Sequence, residues 1–561
     1  MSLSSADQGD AVIRLCSVNV REPDIHDPSS DVRRLSLALA EQYGIFGIKI
    51  GLGVLKLLQK TLRRGNWTVE VGLIGSSVAT IAHGFEVDKA GIQVEGAHFP
   101  IGRAQLALNV GHAILEGTLA DGETGQIIAR SILINPLARF GADPMSRIAV
   151  AMSGGERLEQ MTDSLRVAVD GLVHQLTDLA GIDHQSIING VFIADPVTHH
   201  ILLGLDPSEL GGAPFANAIS QPLDISAFEI GCHMAAGAML HALPLVGGHV
   251  GSNAVAAAYH VGMNQDDKVT LLISIGTTTE IVMGSKGKLF AAAPPAGSVL
   301  DGGQIEAGRH SVPGAIDAIR IDPISFEPRF RVVGSPLWSD EPGFDEAVET
   351  LNLGGFCRSG LVDVLAELRL SGLMARDGTL DVTKAQQTAR IREEYRSATY
   401  LVREANPRIA VTQHDIRALQ LGKSAIQAAV RILLKRHGGN SIDRVVLTGA
   451  AGTDIDPLRA ALVGLFPDCV LDNVQYVAHA AMRGAEAALN SHSARNAMAD
   501  LARNMVLVET VLDPDFQNEQ IGAMGFPHRT LGYPLLGTQI ELIDNDDAVL
   551  GRRGTRRSRG A

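Results

Sequence analysis

Aromatic residues and excess positive charge are both scarce in this sequence, and each shortage argues against nucleic acid as a partner. Aromatic side chains make up 4% of the 561 residues, so platforms on which bases could stack are few. The formal net charge is −14, which argues against a broad basic surface for a phosphate backbone. The one basic run lies at residues 551–561, where a solvated chain end is favoured over a binding arm.

Cysteine is also scarce, and its spacing argues against a metal centre. Cys16, Cys232, Cys357 and Cys469 stand far apart, and no Cys-x-x-Cys pair occurs among them. Local spacing therefore builds neither a zinc site nor a cysteine-ligated iron–sulfur cluster. Four scattered thiols in a chain of this length are typical of a reducing compartment, where a buried cysteine serves as a small hydrophobic residue.

Long hydrophobic runs are missing as well, and the N-terminus lacks the pattern of a signal peptide. The apolar stretch at residues 43–58 is interrupted by Lys49 and Lys56 and is too short to span a bilayer. Residues 232–263 carry several histidines and Pro244, which is typical of a buried core segment. These histidines do not share a helix, because Pro244 interrupts it, so no metal-binding residue is predicted. We expect a cytoplasmic protein without a membrane span.

A chain of this length predicts several domains. Capping residues and helical spacing predict helices that end at Gly44, Gly65, Gly181 and Gly438. Continuous apolar runs such as RVVLTG at residues 444–449 predict strands covered on both faces. The predicted divisions are an N-terminal remnant with a linker, a small α/β middle domain, a first lobe, a second lobe and a C-terminal extension, at residues 1–29, 30–100, 101–265, 266–530 and 531–561.

An internal similarity predicts that the two lobes are related. Residues 106–119 align with residues 272–284, with Gly111 on Gly276, and both segments have the pattern strand, glycine turn, strand. The similarity is short, and the chance recurrence of a hairpin is the alternative. Two similar halves would form a cleft between them, which is the usual position of a small ligand.

Three glycine-rich turns carry residues that suit a nucleotide site. A glycine lets backbone amides approach an anion, and threonine hydroxyls add donors, so the turn after Ile275 suits a terminal phosphate. Taken alone, this turn favours an ordinary hairpin of β-branched residues. It is not a Walker-type loop, because no Gly-Lys-Ser/Thr opens a helix after it. The residues singled out are Gly276, Thr277, Thr278 and Thr279 in one turn, Asp301, Gly302 and Gly303 in another, and Gly449, Ala450 and Gly452 in the third.

In this order, the turns resemble those of the superfamily of acetate and sugar kinases, heat-shock chaperones and actin. Longer motifs resemble one branch more closely, the reductive activators of corrinoid proteins, from about residue 12 to residue 527. They include NPLARFGADPMSRI, THHILLGLDPSELGGAPF, LPLVGGHVGSNAVAA, GFCRSGLVDVLAEL and TQHDIRALQLGKSAI. The resemblance implies an α/β fold with a duplicated, two-lobed, actin-like ATPase domain and a nucleotide cleft, preceded by the small α/β domain. It also implies ATP as a ligand.

The resemblance further implies roles for individual residues. Asp301, which replaces a family glutamate, and Asp143 are the catalytic candidates. Asp143 and Arg147 also have the i,i+4 spacing of a helix ion pair, which is the favoured interpretation. Residues lining the phosphates would be Gly276, Thr277, Thr278 and Thr279, and further cofactor-binding candidates are Glu280, Gly302 and Gly303. Residues facing adenosine would be Gln420, Lys423, Gly449, Ala450 and Gly452.

The sequence departs from the family at acidic positions. Asn109, Ser274 and Asn253 stand where the family has aspartate, and Asp195 stands where it has asparagine. Magnesium prefers carboxylate oxygens, and ATP hydrolysis depends on the metal, so we expect weak magnesium binding and at most a weak ATPase activity.

Family members usually carry an N-terminal [2Fe–2S] domain, and no such cluster is expected in this chain. Cys16 is interpreted either as a leftover cluster ligand or as a core residue. The first expected function is ATP-dependent activation of a corrinoid (cobalamin) protein or methyltransferase, by reduction of cobalt(II) with electrons from a separate donor protein. The second is a non-catalytic docking or storage module. A small-molecule kinase is disfavoured, because no acceptor-binding motif stands out, and a homodimer, as in relatives, is left open.

Overall fold

The computed structural model describes residues 10–83, 104–394, 397–439, 441–449 and 455–540. The chain divides into two compact units. Unit 1 comprises Met1–His260 and Ala481–Arg503, and unit 2 comprises Val261–Ala480 and Asn504–Ala561. The chain therefore leaves unit 1 after His260 and returns to it at residues 481–503, which form two helices.

The described residues form strands and helices in alternation along most of the chain. The strands are β1 (Ile13–Asn19), β2 (Lys49–Ile50), β3 (Thr68–Ile74), β4 (Ser77–His83), β5 (Ala104–Val110), β6 (Ile114–Asp121), β7 (Ile127–Ile134), β8 (Ile187–Ala194), β9 (Leu223–Ser226), β10 (Met239–Ala242), β11 (Thr270–Ile275), β12 (Thr279–Ser285), β13 (Lys288–Ala292), β14 (Ile316–Ile321), β15 (Pro328–Val332), β16 (Ile391–Glu394), β17 (Ser397–Arg403), β18 (Ile409–Thr412), β19 (Arg444–Gly449), β20 (Val474–Tyr476) and β21 (Val506–Leu507). The helices are α1 (Asp31–Tyr43), α2 (Leu52–Arg64), α3 (Pro144–Met152), α4 (Gly155–Ala180), α5 (Pro196–Leu203), α6 (Ser252–His260), α7 (Phe344–Val348), α8 (Arg358–Leu370), α9 (Gln413–His437), α10 (Pro457–Val463), α11 (Ala480–Asn490), α12 (His492–Asn504), α13 (Phe516–Ala523) and α14 (Pro534–Gly537).

The N-terminal part of unit 1 is a four-stranded sheet with the order β1-β3-β4-β2. Helix α1 begins after Ser30, whose side chain accepts a hydrogen bond from the Arg33 amide, and ends at Gly44 in the left-handed conformation. Strand β1 pairs antiparallel with β3, so residues 13–19 belong to this sheet, although they lie in the segment expected to be a remnant and linker. Cys16 on β1 is buried in the core of this sheet, in agreement with its interpretation as a core residue.

Units 1 and 2 each contain a six-stranded sheet, and the two sheets share one topology. The orders are β7-β6-β5-β8-β10-β9 in unit 1 and β20-β19-β11-β12-β13-β21 in unit 2. In unit 1, β5, β6 and β7 pair antiparallel in chain order, β8 lies parallel to β5, and β10 lies parallel to β8. In unit 2, β11, β12 and β13 pair in the same way, β19 lies parallel to β11, and β20 lies parallel to β19. The sheets differ in their remaining strand, because β9 pairs with β10 in unit 1, whereas β21 pairs with β13 at the opposite edge in unit 2. The predicted α/β duplication is confirmed.

Strand register extends the internal similarity seen in the sequence. Asn109 on β5 lies opposite Glu116 on β6, and Ser274 on β11 lies opposite Glu280 on β12. The first two strands of each sheet therefore place a glutamate opposite the aligned Asn109 and Ser274. This correspondence was not visible from the short sequence match, because it depends on the length of each turn.

Burial follows the predicted pattern in the central strands and the long helices. All eight residues of β8 are buried, as expected for a strand covered on both faces. The helix ends predicted at Gly65, Gly181 and Gly438 are confirmed, and the last two glycines adopt the left-handed conformation. Within the described residues, no helix combines the length and the hydropathy that a bilayer span requires.

Candidate functional site

The turn between β11 and β12 brings three hydroxyl groups to the carboxyl end of β11. Ile275 pairs with Thr279, so the turn consists of Gly276, Thr277 and Thr278. Thr277 and Thr279 are buried, whereas Gly276 and Thr278 are half-buried. Oγ1 of Thr279 has no hydrogen-bond partner in the described part of the chain, so the hydrogen-bonding capacity of this buried hydroxyl is unused.

A carboxylate from the second predicted turn binds Thr277. Oγ1 of Thr277 donates to Oδ2 of Asp301 over 3.1 Å, and Nη2 of Arg358 donates to Oδ1 of Asp301 over 2.6 Å. Nδ1 of His310 lies 3.4 Å from Oδ2 of Asp301. Asp301 and Arg358 are only 7% and 3% exposed, so a buried ion pair fixes the position of the Thr277 hydroxyl.

The surrounding charges decide the protonation of Asp301. Burial favours the neutral acid, but the charge of Arg358 and the hydrogen bond from His310 outweigh it and hold the pKa of Asp301 below its ordinary value. The hydrogen bond to Asp301 is the main cause of the raised pKa of His310. Both oxygens of Asp301 are engaged, which suits this carboxylate to positioning Thr277 better than to accepting a proton. Its catalytic role stays a prediction.

Arg358 was not singled out from the sequence. It is the first residue of α8, where the helix dipole disfavours a positive charge, and Asp301 supplies the opposite charge from 57 residues earlier in the chain. A signal for it does exist in the motif GFCRSGLVDVLAEL, in which one cation opens an otherwise largely apolar helix.

Gly449 ends β19 beside this ion pair. It pairs with Ile275 of β11, and a Cβ atom on it would lie 2.4 Å from both Nη1 of Arg358 and the carbonyl oxygen of Ile275. Only glycine allows this approach, so the end of β19 lies next to the β11–β12 turn. Ala450 and Gly452, which were predicted to face adenosine, lie outside the described residues.

Gly302 and Gly303 are explained by packing within their own loop. Gly302 has a φ of +88°, and a Cβ atom on it would lie 2.5 Å from the Arg309 amide nitrogen. A Cβ atom on Gly303 would lie 2.0 Å from Oγ of Ser298. These contacts account for both glycines without a ligand, and their predicted role in binding the cofactor stays a prediction.

Gln420 and Lys423 lie on α9 but bind carbonyl groups of the polypeptide. Nε2 of Gln420 donates to the carbonyl oxygens of Asp377 and Met524, over 2.9 and 2.6 Å. Nζ of Lys423 donates to the carbonyl oxygens of Gly525 and Pro527. Lys423 is fully buried, and burial lowers its pKa well below the ordinary value. The two side chains fasten residues 524–527 to α9, and nothing in their placement supports the predicted contact with adenosine.

Asp143 lies in unit 1, at the start of α3. It is the N-cap of this helix, and its oxygens accept from the amide and the hydroxyl of Ser146. Arg147 donates instead to the carbonyl oxygens of Gly141 and His112, over 3.1 and 2.8 Å. The expected Asp143–Arg147 ion pair is therefore wrong, because a residue at the cap position points its carboxylate at the first helical amides. The catalytic role of Asp143 stays a prediction.

Comparisons with known proteins cover most of the chain. Three family models match in sequence, described as the RACo linker region, the RACo middle region and the C-terminal domain of RACo, the ASKHA domain, at residues 8–88, 104–266 and 268–536. The corrinoid activation enzyme RamQ of Eubacterium limosum is 27% identical over 423 residues, which are 73% of this chain and 68% of that protein. A solved structure of a reductive activator for corrinoid, iron–sulfur protein is 26% identical, with a TM-score of 0.79, and covers 93% of this chain and 80% of its own.

Proposed function

The chain belongs to the family of reductive activators of corrinoid proteins, and we propose that it binds ATP in unit 2 and activates a corrinoid protein of a methyl-transfer pathway. The electrons that reduce cobalt(II) come from a separate protein. RamQ and the solved reductive activator support this proposal, because both carry corrinoid activation in their names. The second candidate, a non-catalytic docking module, is favoured by the loss of aspartate at Asn109 and Ser274.

The observation that carries the proposal is the assembly of Thr277, Asp301 and Arg358 beneath the Gly276 turn. The turn offers the Thr278 hydroxyl and the unpartnered Oγ1 of Thr279 as donors at the edge where a phosphate chain would lie. Arg358 adds positive charge, although Asp301 neutralises part of it. These groups fit a phosphate better than they fit a cation.

The side chains at this edge of the sheet argue for slow hydrolysis of ATP. Ser274 lies where a metal-binding aspartate would stand, and the oxygens of Asp301 are already engaged by Thr277, His310 and Arg358. In the described parts of the chain, no group of three or more histidine, cysteine, aspartate or glutamate side chains is placed to hold a metal ion. A bound magnesium ion would rest mainly on the phosphates of ATP and on water. Binding and closure, not turnover, would then drive activation.

The first test is the affinity for ATP with and without magnesium, measured by calorimetry on the full chain. We expect binding that changes by less than about threefold when magnesium is replaced by EDTA, because the protein contributes few ligands to the metal. The substitution Ser274→Asp should make binding more dependent on magnesium. Lack of ATP binding in both buffers would favour the docking module instead.

The second test is the cobalt(II) spectrum of a candidate corrinoid protein mixed with the chain. Addition of ATP should change the spectrum, and an external reductant should then yield cobalt(I) at a higher rate. The substitution Thr279→Val removes the unpartnered hydroxyl while keeping the shape of the side chain, and it should weaken the effect of ATP. A cobalt(II) spectrum that changes neither on addition of the chain nor on addition of ATP would contradict the proposal.

A further inference from the structure

A cavity in unit 1 lies outside the residues to which nucleotide binding was assigned. Its volume is about 660 Å³, which is within the range of sites that hold small molecules. One wall is formed by residues 49–56, which include the start of α2, together with residues 77–78 at the start of β4. The other wall is formed by residues 226–239, the connection from β9 to β10. The cavity therefore lies where the N-terminal sheet meets the six-stranded sheet of unit 1.

Close packing holds the two walls together. A Cβ atom on Gly53 of α2 would lie 2.5 Å from the carbonyl oxygen of Ala236, and one on Gly237 would lie 2.5 Å from the carbonyl oxygen of Val78. The amide of Gly237 donates to the carbonyl oxygen of Ala79 over 3.0 Å. Both positions require glycine, so contacts between backbone segments fix the shape of the cavity before a ligand enters it.

The floor of the cavity is apolar and uncharged. Val78, Cys232, Met234 and Ala235 line it and are buried. Burial raises the pKa of the Cys232 thiol to about 12, so this side chain is neutral at pH 7. Methionine side chains adapt to the shape of the group that they contact, and a second one, Met239, also lines the cavity. The floor therefore suits an apolar group.

The rim of the cavity combines exposed apolar side chains with positive charge. Leu52 and Phe228 are 67% and 86% exposed, and Lys49 and Lys56, which line the same cavity, are exposed as well. Among the described residues that line the cavity, no aspartate or glutamate occurs. The chain as a whole carries a net charge of −14, so two lysines without a carboxylate form a local excess of positive charge.

Two carboxylates bond to lining residues, but both are engaged outside the cavity. Oε2 of Glu229 accepts from the Ser226 amide as part of a capping box. Oδ1 of Asp170 on α4 accepts from the amide of His233 over 2.7 Å, and its Oδ2 lies 2.8 Å from Nδ1 of the same residue. Neither carboxylate lines the cavity, so the positive charge of the rim is not neutralised within it.

The floor and the rim together select a class of ligand. A cation would meet lysine side chains, and a sugar would bury its hydroxyl groups against an apolar floor without partners. A stable protein interface takes about 20–30 residues from each partner, whereas 17 residues line this cavity. A small molecule with an apolar body and one anionic group matches the floor and the rim at once.

We propose that this cavity binds a small amphiphilic anion, with its aliphatic or aromatic body on the floor and its anionic group at Lys49 and Lys56. The apolar body supplies most of the affinity, because it removes the floor and the Phe228 ring from water. The lysines select the charge of the ligand. The site does not depend on nucleotide binding in unit 2. In the sequence, these lysines were visible only as interruptions of an apolar stretch, because the opposite wall lies far along the chain.

The test uses the full chain with ¹³C-labelled methionine methyl groups, whose NMR signals are followed during titration. The probes are octanoate and indole-3-acetate, with 1-octanol as the neutral comparison and inorganic phosphate as an anion without an apolar body. We expect both amphiphilic anions to shift the signals of Met234 and Met239 more than those of the remaining methionines, because these two line the cavity. The variants Met234→Leu and Met239→Leu assign the two signals. Phosphate should shift neither.

A first pair of variants tests the charge of the rim. Lys49→Gln combined with Lys56→Gln should weaken octanoate binding by about fivefold, because two exposed charge contacts are lost, and should change octanol binding by less than about twofold. Both lysines are exposed, so the fold is retained. The matched control combines Lys60→Gln with Arg64→Gln, which removes two exposed charges from α2 outside the cavity and should leave both affinities unchanged.

A second pair of variants tests the apolar rim. Phe228→Ala should weaken octanoate and octanol alike, by about threefold or more, because both probes lose the same apolar contact. The matched control is Phe46→Ala, since Phe46 is also exposed but does not line the cavity.

Three results would overturn the proposal. In the first, neither anion shifts the signals of Met234 and Met239 at millimolar concentration. In the second, the two-lysine variant and its control weaken octanoate binding equally, which would indicate a non-specific effect of charge. In the third, octanol binds as tightly as octanoate does.

Discussion

At the scale of single residues, the polar contacts at the β11–β12 turn of unit 2 depend on Asp301. Its ion pair with Arg358 is buried, so removal of one partner leaves the other charge unpaired and costs about 3–5 kcal/mol. The sequence identified Asp301 by its place before two glycines, but not its partners. Arg358 and His310 follow it by 57 and 9 positions, and no local rule links residues at those separations.

The interaction between His310 and Asp301 predicts a pH dependence of stability. The pKa of His310 is raised in the folded state, so its contribution is fully present below its unfolded pKa of about 6.5 and is lost as pH rises through the folded pKa. The pKa of Asp301 is lowered, so its contribution is present above the unfolded value of about 3.9 and is lost only as pH falls through its folded pKa. Between pH 6 and pH 9, His310 alone of this pair changes charge.

We expect unit 2 to lose stability between pH 6 and pH 9, by less than about 1 kcal/mol, because His310 is half exposed and water screens it. The measurement is urea unfolding followed by Trp338 fluorescence in a Trp67→Phe background, since the chain has two tryptophans. The variant His310→Gln should reduce this loss. An unchanged pH dependence in the variant would contradict the assignment.

Elements show which parts of the fold are encoded locally. Ser30 and Gly44 bound α1, and Thr412 and Gly438 bound α9. The predicted ends at Gly44 and Gly438 are confirmed, because capping acts within one turn of the chain. The place of β1 in a sheet with β3 was not predicted, since pairing depends on a partner 49 residues away, as between Asn19 and Thr68. The carbonyl partners of Lys423 were not predicted for the same reason, since they lie 102 and 104 residues away.

Helix glycines give a test of packing at this scale. Gly422 lies inside α9, and a Cβ atom on it would meet Cγ2 of Val299 at 2.4 Å and the Ala296 carbonyl oxygen at 2.9 Å. Gly171 lies inside α4 with no atom within 4 Å of such a Cβ. Alanine at position 422 should destabilise unit 2 by about 1–3 kcal/mol. Alanine at position 171 should stabilise unit 1 by roughly 0.5–1 kcal/mol.

The two variants, Gly422→Ala and Gly171→Ala, are compared by urea unfolding. Trp338 reports unit 2 and Trp67 reports unit 1, each in a background that lacks the other tryptophan. A stabilising effect of Gly422→Ala would show that α9 does not approach residues 296–299 as closely as described.

The whole molecule consists of two units with one sheet topology but different polar edges. Unit 2 keeps hydroxyl groups at its first turn, whereas unit 1 has Gly111 and His112 at the aligned turn. The duplication was foreseeable from two short hairpins. The difference in polar side chains between the copies was not, because it depends on which distant side chains each sheet edge brings together.

This difference predicts that ATP stabilises unit 2 selectively. A ligand at about 100 times its Kd stabilises the unit that binds it by about 2.7 kcal/mol. Unfolding followed by Trp338 should therefore shift to higher urea when ATP is added, while unfolding followed by Trp67 should shift much less. The measurement uses the two single-tryptophan variants, Trp67→Phe and Trp338→Phe. Equal shifts at both tryptophans would contradict the assignment of the nucleotide to unit 2.

The sequence by itself determined the helices with their caps, the hairpin at Gly276, the duplication and the family, because each of these is carried by neighbouring residues or by motifs read in order. Only the tertiary structure decided that Arg358 neutralises Asp301 and that Lys423 binds the carbonyls of Gly525 and Pro527. The physical reason is the separation along the chain over which each interaction acts. Capping and alternation act over a few residues, whereas an ion pair or a ligand pocket exists only after distant segments of the chain have packed together.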